Sequence, residues 1–259
     1  MPEGIEVEMY RRAAERVVGR TISVVLAPDT LMCRGATSPE QLVDALTGAR
    51  ILAARRLGKL LMIDTTSVTL GMRFGMTGRL IVDGVAAIDE LEYGAKRDDV
   101  AWNRFGLRFE GGGELWLNDP RRLGGVELDP DVAALGPDAF IVTLPQLAVA
   151  LAGSLVSVKA RLLDQHRIAG IGNLLADETL WRAGIDPARR SADISVAEIK
   201  ALHRELRRVL TELTRRGGSH RGDLQSQRHP NGVCPHDGAP LRRRTISGRT
   251  SFSCPLRQR

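Results

Sequence analysis

Long apolar runs are missing from this 259-residue chain. No stretch approaches the ~18 residues that a membrane span needs. No charged segment followed by an apolar one opens it, so no secretory signal is expected. Cysteine is scarce as well. Cys33, Cys234 and Cys254 are too few and too scattered for a disulfide framework, which suits a reducing, cytoplasmic setting. Lysine is scarcer than the charge suggests: of 37 basic residues only positions 59, 96, 159 and 200 are lysines. Arginine and lysine do different chemistry, so each of the four draws notice.

The charge that is present is positive. A formal net charge of +6 and a pI near 9.8 invite a polyanionic partner. The excess gathers late in the chain: from His203 onward, thirteen arginines face only Glu205, Glu212, Asp223 and Asp237. That asymmetry is a nucleic-acid signal, although a solvated basic tail would look the same. At this length two domains are comfortable.

Periodicity divides the chain. Residues 3–18 read as a helix with Val7, Tyr10, Ala14 and Val17/Val18 on one face. Short β-like runs follow (TISVVL, ARILAARRL, KLLMID, VTLGMRF, GRLIVD, DVAWNRFGLRF, ELWL), and their density argues for a sandwich or barrel. After about residue 130, LPQLAVALAG, VSVKARLLDQ, GNLLADETLWRAG and SVAEIKALHRELRRVLTELTRR are helical by period and length. Ser195 with Glu198 three residues on starts the last of these with a capping box. Residues 217–232 read as a flexible basic connector ahead of a short hairpin. The expected fold is α+β: a β-rich first half over 1–130, a helical second half over 131–225, and a small hairpin appendage over 226–259.

Two stretches carry chemistry. Pro2 and Glu3 suit the first turn of a helix and its positive dipole end, which explains the pair without function. With Met1 removed, Pro2 instead carries a secondary amine beside a carboxylate. In LLDQHRIAGIGNLLADETLWRAGIDP, residues 162–187, small residues turn the chain into a new helix near Asn173. Free N–H groups there favour an anion such as phosphate, and an Asn-capped helical corner fits equally well.

This second stretch resembles the helix-two-turn-helix of the formamidopyrimidine-DNA glycosylase / endonuclease VIII family. The resemblance runs nearly the whole chain in order: Pro2–Glu3, Gly58-Lys59, Gly75-Met76-Thr77-Gly78, Asp119-Pro120-Arg121-Arg122, Lys159, the helical corner and the terminal hairpin. It implies an N-terminal antiparallel β-sandwich with flanking helices over 1–130, a helical DNA-binding domain over 131–225, a DNA cleft between them, and a bifunctional glycosylase and abasic-site lyase acting on damaged duplex DNA as a monomer. Pro2 would attack the deoxyribose C1′ and leave a Schiff base. An α-amine titrates near pH ~8 against ~10 for lysine, so a usable fraction is neutral. Glu3 would move protons and Glu6 would orient the centre. Lys59 would serve as clamp and proton donor near the sugar, with Lys159, Asn173 and Arg249 on phosphates, contacts that set register rather than base choice. Met76, Arg121 and Leu123 would fill the hole left by the flipped base. Leu123 stands where many purine-specific relatives carry Phe.

The tail departs from the family. The C-x2-C-x16-C-x2-C spacing of its zinc finger survives as Cys234, Asp237, Cys254 and Arg257, two thiolates short. His236 lies between inward positions. Four inward N/S ligands are wanted, so no zinc and no other cofactor is expected. Zincless fingers occur in the family. Ser247-Gly248-Arg249-Thr250 matches the turn whose arginine grips phosphate. Residues 217–232 look too short and polar for the lid that closes over a flipped 8-oxoguanine, which shifts weight toward ring-opened purines, oxidised pyrimidines or an unusual lesion. A catalytically idle binder of damaged DNA is the alternative reading.

Overall fold

Helix α1 (Gly4–Ala14) opens the chain and ends in a 3-10 turn, Glu15–Val17, so the run expected over 3–18 is helical with a tightened last turn. The computed structural model describes residues 2–27, 29–89, 91, 92, 94 and 99–259. Its chain divides into two compact units: Pro2 with Glu6–Ala133, and Glu3–Ile5 with Ala134–Arg259.

The first unit holds β1 (Ile22–Leu26), α2 (Pro39–Leu46), β2 (Ile51–Leu57), β3 (Leu60–Thr65), β4 (Thr69–Arg73), β5 (Arg79–Val82), β6 (Val85–Ala86), β7 (Asn103–Phe109), β8 (Glu114–Asn118) and β9 (Gly125–Leu128). Two antiparallel sheets result, in the orders β1-β7-β8-β5-β6 and β2-β3-β4-β9. Alternating apolar residues from both, such as Leu61, Ile63, Leu70, Leu80, Phe105 and Leu117, make one buried core with Val7, Tyr10 and Ala14 of α1. Burial of this apolar surface is the main term that holds such a layer together. Helix α2 and strand β9 were not expected. Yet α2 carries a full capping box, Ser38 with Gln41, and Pro39 in its first turn.

The second unit holds α3 (Leu144–Leu151), α4 (Val158–Leu163), α5 (Asn173–Ala183), α6 (Val196–Arg216), and the hairpin β10 (Arg242–Ile246) and β11 (Arg249–Ser253). The capping box at Ser195 and Glu198 starts α6 as expected, and Gly217 ends it in the left-handed region. Residues 217–232 differ from the flexible connector expected. They form two 3-10 turns, with Leu224 buried beside Trp181, Cys234, Ala239 and Cys254. The Glu178 carboxylate accepts from the N–H groups of Asp223 and Leu224 at 3.1 and 3.0 Å. One apolar anchor and one buried acceptor are enough to fix a polar segment. No helix among the described residues is long and apolar enough to cross a membrane.

Candidate active site

In the sandwich unit, a single carboxylate organises two loops. Asp119, fully buried just after β8, accepts from the Thr77 hydroxyl at 2.6 Å and from the N–H groups of Arg121, Leu123 and Gly124 at 2.8–3.1 Å. Thr77 belongs to the β4–β5 turn, so the two loops are tied together. Gly75 lets them touch: it has φ +54°, and a Cβ there would lie 2.4 Å from the Leu123 carbonyl carbon. Of the three expected hole-filling residues, Met76 lies between Gly75 and Thr77 on one tied loop, and Arg121 and Leu123 lie on the other. Arg121 is exposed, Met76 half-buried, and Leu123 45% exposed. Neither apolar side chain is spent in the core.

Lys59 is the second residue of the two-residue turn between β2 and β3, half-buried, next to Gly58 at φ +59°. Glu6 is buried on α1. Its charge adds to burial in pushing the Tyr10 phenol well above its ordinary range, while the Tyr10 hydroxyl donates to the Gly78 carbonyl. Pro2 is buried, and the expectation about Met1 falls outside the described residues.

In the helical unit the corner before α5 is built around Glu3. Its carboxylate accepts from the N–H groups of Gly172, Leu174 and Leu175 at 2.9, 2.8 and 3.1 Å. A helix start leaves such donors unpaired and attracts negative charge. The anion seated there is the protein's own carboxylate. Gly172 caps the helix and Asn173 is its first residue, so the cap is not the Asn that local pattern suggested. The glycines make room: a Cβ on Gly172 would lie 2.3 Å from the Glu3 carboxyl carbon, and one on Gly4 would lie 3.0 Å from the Gly170 oxygen.

One turn further along α5 sits a second buried carboxylate, Asp177. It receives Lys159 Nζ at 2.7 Å, the Ser251 hydroxyl at 2.7 Å, the Phe252 N–H at 3.3 Å and the Arg228 guanidinium. The Thr250 carbonyl beside it accepts from Asn173 Nδ2 at 3.1 Å, Arg228 at 3.4 Å and Lys159 at 3.5 Å. Lys159 thus differs from the phosphate-facing residue expected. Its side chain is fully buried, and burial pushes its ammonium down against the opposing pull of Asp177. Arg249 opens β11 after a two-residue turn with Ser247 at φ +49° and Gly248 at φ +71°, and its side chain is exposed.

Comparison with known proteins reads the same order of parts. The family model of the formamidopyrimidine-DNA glycosylase N-terminal domain matches residues 1–126, and that of the H2TH domain of the same enzyme matches residues 135–223. A formamidopyrimidine-DNA glycosylase of Paracoccus denitrificans is 38% identical, with both chains covered in full. The Arabidopsis thaliana protein of that name is 35% identical over 81% of this chain and 57% of its own. The Lactococcus lactis enzyme, solved non-covalently bound to DNA containing an abasic site, superposes with a TM-score of 0.83 at 27% identity, covering 99% of each chain. The chain belongs to the formamidopyrimidine-DNA glycosylase family.

The family's zinc positions fall on residues that answer differently. Among the described residues, Cys234, Asp237 and Cys254 bring their donor atoms within 4.8 Å of one another. The fourth position does not join them. Arg257 donates to the carbonyls of Trp181 and Arg182 and lies over the Trp181 ring. The Trp181 indole N–H donates to Cys234 Sγ at 3.3 Å, and the Cys254 thiol donates to Asp237. Burial pushes the Cys254 thiol up, while the Ala239 N–H holds Asp237 down. A guanidinium cannot be a zinc ligand, so of the four positions only Cys234, Asp237 and Cys254 offer a donor. His236 is exposed.

Sequence reasoning passed over Asp119, Asp177 and Arg228 as site-building residues. Asp119 lay inside a quoted motif. Asp177 left a trace as an acid within the apolar pattern of LLADETLW. Arg228 left none, being one arginine among thirteen.

Proposed function

We infer that this chain is a DNA glycosylase of base-excision repair that also cleaves the abasic site it makes. The observation that carries the reading is the seat of Glu3: the residue next to Pro2 is buried and fixed by three N–H groups of the helix-two-turn-helix. Fixing one residue of a dipeptide leaves its neighbour little freedom, which is what positioning a nucleophile requires.

Once Met1 is removed, the neutral Pro2 nitrogen attacks C1′, and the glycosidic bond breaks with its electron pair leaving on the base. The proton released from the new ammonium passes to the Glu3 carboxylate and on to the ring oxygen. The C1′–O4′ bond then opens and an iminium forms. Lys59 of the sandwich unit is assigned to the reacting sugar and its phosphates, and Asn173 and Arg249 of the helical unit are assigned to phosphates. Lys159 is assigned to holding Asp177, since it would meet a phosphate only by leaving that ion pair. Met76, Arg121 and Leu123 fill the vacated stack. Phosphate contacts of this kind make affinity fall steeply with salt.

The hairpin base is assigned to a metal-free cluster of thiol, carboxylate and indole. Metal analysis returning one tightly held zinc per chain contradicts that assignment. The setting is the cytoplasm with its nucleoid, and the acting form is a monomer. Ring-opened purines, the formamidopyrimidines of the relatives' name, are the first lesions to offer, with oxidised pyrimidines next.

Borohydride trapping tests the chemistry. With Met1 removed, the protein is expected to become covalently linked to abasic-site or lesion-containing DNA, and Pro2→Gly or retained Met1 is expected to weaken or abolish the link. The burial of Pro2 favours one rival, a binder of damaged DNA without chemistry. Tight binding with no trapped adduct from the processed chain establishes that rival instead.

A further inference from the structure

Arg228 lies in the segment between α6 and the hairpin, and its side chain is only 8% exposed. Its guanidinium pairs with Asp177 of α5, donates to the Thr250 carbonyl of β11 at 3.4 Å, and lies over the Phe252 ring with its central carbon 5.2 Å from the centroid. These three contacts bridge one helix to one strand. The residue before Thr250 is Arg249, which follows the two-residue Ser247–Gly248 turn and pairs with Ile246 across the hairpin.

We propose that Arg228 is a positioning residue for DNA binding: through Asp177 and the Thr250 carbonyl it fixes the strand that presents Arg249 to a phosphate. The proposal rests on the functional reading above, since it assigns Arg249 a phosphate. Lys159 cannot take this part alone. Its single ammonium reaches Asp177 at 2.7 Å and Thr250 at 3.5 Å, whereas the Arg228 guanidinium adds the Phe252 ring to the same two acceptors. A planar fork with several donors serves two acceptors and an aromatic face at once, which a point charge does not. Helix α5 also carries Glu3 at its start, so Arg228 sets Arg249 at a fixed distance from the residue assigned the proton transfers.

The test is binding of an abasic-site duplex against salt by the full chain and its Arg228→Ala, Arg228→Lys, Arg249→Ala and Arg228→Ala/Arg249→Ala variants. Arg249→Ala is expected to lower the salt slope by about one counterion. Arg228→Ala is expected to lower it by about the same, although its own side chain is enclosed. The double variant is expected to bind within about twofold of Arg249→Ala alone, because residues acting through one contact are not additive. Arg228→Lys keeps charge and most of the volume, and is expected to fold yet bind like Arg228→Ala. Wild-type affinity in Arg228→Lys overturns the proposal, and so does a slope lowered by two counterions in the double variant, which would mean that Arg228 touches DNA itself. A full set of wild-type slopes beside lowered melting temperatures reduces Arg228 to packing. Salt-independent binding by the unaltered chain removes the functional reading and this proposal together.

Discussion

Each unit presents its functional residues from a fully buried aspartate, but the two aspartates are satisfied in opposite ways. Asp119 of the sandwich unit takes three backbone N–H groups and one hydroxyl from the Met76 and Arg121–Leu123 loops. Asp177 of the helical unit takes two cations, a hydroxyl and one N–H, drawn from α4, the connector and β11. Backbone donors fix the shape of a loop whatever side chains it bears. Side-chain donors fix the position of one segment against another. The first arrangement holds two loops in shape, and the second holds the hairpin against α5, whose start also seats Glu3.

Breaking the second arrangement is expected to cost most. Asp177→Asn leaves the Lys159 ammonium and the Arg228 guanidinium buried against a neutral amide. Losing one partner of a buried pair destabilises by about 3–5 kcal/mol. Urea unfolding measures it, and a loss under ~1 kcal/mol would mean that the hairpin is anchored elsewhere. Asp119→Asn is expected to cost less, about 2 kcal/mol, since its donors are mostly uncharged and its own charge is what strengthens the bonds. The loops are expected to loosen, so trypsin should cut after Arg121 or Arg122 faster than in the unaltered chain. Unchanged cutting would place control of the loops outside Asp119.

Much of this contrast was hidden in the sequence for a physical reason. Helices and strands announce themselves by period, and α5, α6, β3 and β7 were legible from local pattern alone. The Pro2–Glu3 pair and the Ser-Gly-Arg turn were legible by resemblance. Contacts such as Asp177 with Lys159 and Arg228 join positions 18 and 51 residues away through side chains, and no local period encodes them. The same holds for Glu3, whose seat on α5 lies some 170 residues downstream. Helix α2 is the opposite case. Its Ser38–Gln41 capping box and Pro39 were readable, but eight residues among many short strands made a weak periodic signal.

A smaller effect checks the contrast at an ordinary helix end. Glu198 closes the capping box of α6 and receives Arg189, whose hydrogen bonds hold its carboxyl down to about 2, with the Ser195 N–H and hydroxyl adding to the shift. The folded value is depressed, so the stabilisation is complete above the unfolded value of about 4.3 and is lost as pH falls through about 2. Glu198 is partly exposed and solvent screens the pair, so Glu198→Gln is expected to cost only about 1 kcal/mol at neutral pH. The difference should narrow below pH ~4 and close near pH ~2. A gap that stays constant over that window would assign the loss to packing rather than charge.

The smallest effect on stability should come from a residue proposed to fill the vacated stack. Leu123 is 45% exposed and its backbone, not its side chain, is what Asp119 holds. Leu123→Ala is therefore expected to change stability by no more than about 0.5 kcal/mol, as at other surface sites. If its side chain fills the stack after the base leaves, excision should slow most where flipping is hardest. Unstacking costs less at a base already unpaired. Single-turnover excision should thus fall clearly on a fully paired duplex and far less when the lesion faces a gap. An equal fall on both substrates would show that Leu123 acts before the base moves, and the filling role would pass to Met76 and Arg121.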